Sequence, residues 1–147
     1  MKTHHAWLCI GPAVAGVLDC GLTLRGQSTI YWEGQYQDAV EGNPVFLGIL
    51  RLHPLLFAIV SLLCLGLLCL SVLCFPTPAA KIIAWVLLVC HTFGVATWLI
   101  RPLPYGVLSC VVLFFIASRL RGWSWKKQAD AEQRSASLAD RNEVLAT

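Results

Sequence analysis

The stretch PLLFAIVSLLCLGLLCLSVLCF, residues 54–75, decides the fold. It holds no charged side chain and matches the ~20 mainly apolar residues that a helix needs to cross a bilayer. Pro54 stands at its start, where the missing N–H has no helical partner to lose. The apolar run reaches back to Val45, but Arg51, His53 and Pro54 interrupt it. One helix over the whole run would overshoot a hydrocarbon core ~30 Å thick at ~1.5 Å per residue, so Val45–Leu52 is read as an interfacial or re-entrant piece.

Three further apolar runs flank this one. Residues 6–24 carry Gly11-Pro12, Gly16, Gly21 and an internal Asp19. Lys2 and Ala13-Val14-Ala15 hint at a secretory signal, but the apolar stretch before that point is short, and the run is read as a retained span. Residues 79–100 follow the stiff Pro76-Thr77-Pro78 connection, and residues 104–120 follow Arg101-Pro102-Leu103-Pro104. Such short connections make successive helices antiparallel neighbours. The expected architecture is all-α, a polytopic membrane protein with four transmembrane helices in a small bundle over residues 1–125. Residues 126–147 form a polar tail, read as a solvated helix or a disordered segment.

Composition agrees. The chain is 57% hydrophobic and 13% charged, against ~25% charged in soluble domains, so a soluble fold would leave apolar surface uncovered. The net charge of +3 does not mark a nucleic-acid binder, because Arg119, Arg121, Lys126 and Lys127 directly follow the last apolar run. That placement orients membrane helices. The partners expected are the lipid bilayer and other membrane-protein subunits.

With four spans both termini share one side. Lys2, Lys81 and the Arg119–Lys127 cluster fall there, against Arg25, Arg51 and Arg101 opposite, which predicts cytoplasmic termini in the cell (plasma or inner) membrane. Trp7, Trp32, Trp85, Trp98, Tyr105, Trp123 and Trp125 lie near span ends, as amphipathic rings do. The seven cysteines sit in or beside apolar runs with no Cys-x-x-Cys pair, and are read as packing residues.

Asp19 is the most informative residue, since an ionisable group within a span costs ~2.5–3.5 kcal/mol on insertion scales and normally faces helices or water. Thr23, at i+4 on the same face, is positioned to donate to it. A place near the outer end, hydrated, is the alternative. Glu41-Gly42-Asn43-Pro44 opens the second apolar run, with Asn43 in N-cap position and Pro44 in the first turn, which puts Glu41 and Asn43 at the membrane entrance. His53 and His91 complete the polar inventory.

Asp19-x-x-x-Thr23 followed by Glu41-x-Asn43-Pro44 resembles the pattern of a small group of uncharacterised prokaryotic integral membrane proteins, over residues 14–63. Where that group often carries a Lys in the second span, this chain offers Ser61. The resemblance implies a membrane location and no assigned activity.

No hydrolase, metalloprotease, phosphate-loop or prenyl-diphosphate motif occurs. The function expected is therefore a non-enzymatic membrane component or an accessory subunit of a membrane complex. A second reading is a cation-binding or proton-handling site built from Asp19, Thr23, Glu41, Asn43, His53 and His91. Its oxygen-rich donors with one or two imidazoles suit a divalent ion such as Zn²⁺ or Mn²⁺, with Asp19, Glu41, His53 and His91 as ligands. A third is a lipid or isoprenoid enzyme with Glu41 or His53 as general base.

Overall fold

The computed structural model describes residues 5–100 and 106–146, with side chains over 5–100 and 111–138. Lys2, the Arg101–Pro104 connection, Tyr105 and the Cys110 side chain lie outside the described residues. The fold is all-helical, and the described residues contain no strand. In chain order the helices are α1 (Ala6–Arg25), the short α2 (Thr29–Trp32), α3 (Pro44–Leu52), α4 (Pro54–Cys74), α5 (Thr77–Ile100) and α6 (Gly106–Ala146). A 3-10 turn, Tyr36–Asp38, lies between α2 and α3. Among the described residues three helices, α1, α4 and α5, are long and apolar enough to cross a membrane.

The boundaries follow local chemistry. Asn43 caps α3, its Oδ1 accepting from Val45 N at 3.0 Å and Phe46 N at 3.5 Å, with Pro44 in the first turn. Pro54 restricts the residue before it to extended backbone, and His53 accordingly sits at φ −171°, ψ 138°. Its imidazole Nδ1 accepts from Leu55 N at 3.1 Å, so this residue ends α3 and caps α4. The long apolar run is thus broken where Arg51, His53 and Pro54 interrupt it.

Two boundaries differ from expectation. Helix α5 starts at Thr77 rather than Ala79, because Pro78 falls in its first turn, where no N–H is needed, and Ala80 N donates to Pro76 O at 2.9 Å. Helix α6 continues through Ala146 with no break at Trp125, since 106–146 holds neither proline nor a second glycine after Gly122.

Helix α1 is the central element, packed against α4, α5 and α6. Leu8 meets Val72, Ala80, Ala84 and Leu87 at one end, and Ala15 meets Leu88 and Ala117 midway. Cys20 and Leu24 pack on a cluster of Tyr31, Ala39, Leu50 and Phe57 at the other end. These pairings make α1 and α5 parallel, with α4 and α6 running the opposite way. Close approach depends on small residues: a Cβ at Gly16 would lie 2.8 Å from Leu65 side-chain atoms. Large apolar side chains face outward along α4 and α5, among them Leu55, Leu63, Leu67, Ile82 and Phe93.

Candidate functional site

Asp19 sits on α1 six residues before Arg25, about 9 Å from the helix end at ~1.5 Å per residue. Its partner comes from α5: His91 Nδ1 lies 3.0 Å from Asp19 Oδ2. The two side chains are 24% and 27% exposed, so the pair is largely but not wholly enclosed. Parallel packing of α1 and α5 brings them level. One turn beyond His91, Gly94 leaves room for the carboxylate, because a Cβ there would overlap Asp19 Oδ1, Cγ and Oδ2.

Helix α4 closes the neighbourhood. The Ser61 hydroxyl is buried and lies beside Cys20. Deeper along α1, Cys9 Sγ donates to Cys69 O at 3.5 Å, and six cysteines, all those with described side chains, are free.

With Asp19 ionised, the bond requires the imidazole proton on Nδ1, which leaves Nε2 as the basic nitrogen. Protonation at Nε2 converts the neutral donor into an imidazolium facing a carboxylate without breaking the contact. The arrangement can therefore hold and exchange one proton inside an apolar helix bundle.

The other residues singled out in the sequence do not join this pair. Glu41 Oε1 accepts from Asn43 N at 2.9 Å, an exposed local turn. Asn43 and His53 are engaged as helix caps, and the His53 ring stands edge-on to Tyr36 at 5.4 Å. Thr23, expected to donate to Asp19, is buried at 2% exposure, with its backbone carbonyl accepting from Gln27 Nε2 at 2.7 Å. Among the described residues no group of three or more His, Cys, Asp or Glu gathers as metal ligands would.

Sequence reading missed the cap over this end of the bundle. Gln27 clamps the loop like a strand partner, donating to Val40 O at 2.9 Å and accepting from Val40 N at 2.8 Å. Tyr31 is fully buried and its hydroxyl donates to Leu50 O at 3.0 Å. Burial pushes that hydroxyl above the usual tyrosine range, and neighbouring Tyr36 adds to the shift. The only sequence signal for this cap was the concentration of aromatic residues at Tyr31, Trp32 and Tyr36. Gly94 gave none, because the need for a glycine there is set by a residue on another helix. No protein family, curated protein or solved structure matches the chain.

Proposed function

We propose that this chain is a small, non-enzymatic integral membrane protein whose working centre is a proton-exchanging Asp19–His91 pair between α1 and α5. The observation that carries the reading is the 3.0 Å contact between two ionisable side chains brought together from different apolar helices. Keeping such groups in a bilayer is expensive, and they mark proton or ion pathways more often than structural joints. The pattern that resembles the uncharacterised prokaryotic membrane group includes Asp19, and the buried Ser61 stands beside Cys20.

The reading includes four spans with both termini cytoplasmic, the fourth being the apolar first part of α6. Support comes from the packing of α6 against α1 and α5, and from Lys81 and Arg119–Lys127 sharing one end of the bundle. Proteoliposomes holding a pH-sensitive dye test the proton function under an imposed membrane potential. Wild type should carry protons faster than Asp19→Asn and His91→Gln; equal rates in all three and in empty vesicles would remove the reading.

A second reading, an accessory subunit, is favoured by α4, of which only 17% of the apolar window is buried within this chain. Size measurement in mild detergent tests it: a lone 16.2 kDa protomer counts against it.

A further inference from the structure

The two ends of the bundle differ in charge chemistry. At the end where the loop caps α1, Arg25 and Arg51 are accompanied by Glu33, Asp38 and Glu41. At the opposite end, Lys81, Arg121 and Lys127 come together with Trp7, Trp85, Trp123 and Trp125, with the Glu132 carboxylate beside Thr77. The Arg121 guanidinium lies 4.3 Å from the centre of the Trp85 ring and 5.4 Å from that of Trp125. Lys81 Nζ stands 5.7 Å from the Trp125 ring, and Lys127 Nζ stands 6.0 Å from Trp7, which packs edge-on against Trp123 at 5.5 Å. Aromatic faces fix where these cations sit while neutralising none of their charge.

The level of this collar is set by the helix ends. Helices α1 and α5 begin here, and α6 is tied to them by Thr77 Oγ1 donating to Glu132 Oε1 at 3.4 Å and by His5 Nε2 at 3.1 Å from Thr77 Oγ1. Gln128, fully buried, donates to the same Glu132 oxygen at 2.8 Å. Lys81 and Lys127 therefore lie within about one turn of the ends at which α5 and α1 start, and Arg121, stacked on Trp85, lies about two turns into α5. Beneath Arg121 lies a cavity of about 10 Å³, the room of a single water, walled by Leu8, Pro12, Trp85, Leu88 and Trp125.

We infer that this collar is a binding site for the headgroup of an anionic phospholipid. The phosphate lies against Lys81 and Arg121, which share the Trp125 ring, and Lys127 beside Trp7 adds to the positive potential. Trp rings hold the glycerol level, as they do at membrane interfaces. A zwitterionic headgroup carries its own cation and would meet the three like charges of Lys81, Arg121 and Lys127 against the one carboxylate of Glu132. The inference rests on the membrane placement proposed above.

Full-length protein is reconstituted with brominated phosphatidylglycerol or brominated phosphatidylcholine, and tryptophan quenching gives the ratio of the two apparent affinities. Each basic residue near the surface contributes about fivefold in favour of an anionic lipid. Wild type should favour phosphatidylglycerol by at least tenfold, and Lys81→Gln/Arg121→Gln/Lys127→Gln should lose most of that preference. The charge-keeping Lys81→Arg/Lys127→Arg variant should retain it, as should Arg25→Gln/Arg51→Gln at the other end. A wild-type ratio near one, an unchanged ratio in the triple variant, or an equal fall in the Arg25/Arg51 variant would overturn the assignment. Alkaline carbonate washing separates the two claims: release from the vesicles removes the membrane placement and the collar with it, whereas retention with an unchanged ratio removes the collar alone.

Discussion

The Asp19 carboxylate occupies the space that a side chain at Gly94 would fill. This makes the α1–α5 seam sensitive to a single methyl group. Gly94→Ala should destabilise the protein by about 1–3 kcal/mol, the usual range for overpacking a close contact. The same substitution in an Asp19→Ala background should cost much less, because the three nearest atoms to the added Cβ all belong to Asp19. Thermal unfolding in detergent of the two single variants and the double variant checks this; additive losses would refute the relationship.

Asp19 and His91 should be strongly coupled in the same assay. Removing one partner leaves the other enclosed without its hydrogen bond, while removing both leaves no orphan. His91→Leu should cost about 1–3 kcal/mol, and the Asp19→Leu/His91→Leu double variant less than the sum of its singles. Simple additivity would mean that the contact is not formed.

Gln27 holds the cap through three hydrogen bonds, two to Val40 and one to the Thr23 carbonyl. Gln27→Ala strands both backbone groups of Val40, at a cost of about 1–3 kcal/mol. The loss should appear locally, as faster hydrogen exchange across residues 28–43 with little change in the helices.

The Tyr31 hydroxyl gives the cap an alkaline limit. Its folded-state pKa is raised by burial, so its contribution is fully present below the ordinary tyrosine value of ~10 and is lost as pH rises through the higher folded value. Ultraviolet titration should show one late tyrosinate step in wild type, accompanied by loosening of the cap. Tyr31→Phe should remove that step and lower stability at neutral pH by about 1 kcal/mol.

Cysteine labelling tests the orientation. Ser28 is a poor reporter, since its hydroxyl caps α2 and donates to Asp38, so the exposed Gln37 serves instead, paired with Ser135. In a background cleared of native thiols, an impermeant maleimide added to intact cells should label Gln37→Cys and spare Ser135→Cys. The reverse would invert the topology, and labelling at both would mean an even number of spans between the two sites and overturn the count of four.

Apolar length and the position of proline determined most of the architecture from sequence alone. Residues 54–75 had to be a helix, Asn43-Pro44 had to open α3, and His53-Pro54 had to break the chain, because each depends on groups a few residues apart. The sequence also marked Asp19 and His91 as costly in an apolar setting. It could not pair them. Asp19, Glu41, His53 and His91 were all candidates for one site, and only the tertiary structure consumes Glu41 and His53 in local turns while setting Asp19 against His91, 72 residues away. The rotation and register of α1 on α5 decide that, and they are fixed by side-chain packing across several helices, among them Gly16 against Leu65 and Gly94 against Asp19. The same holds for Tyr31: a loop aromatic by sequence becomes fully buried only because α3 folds back to cover it.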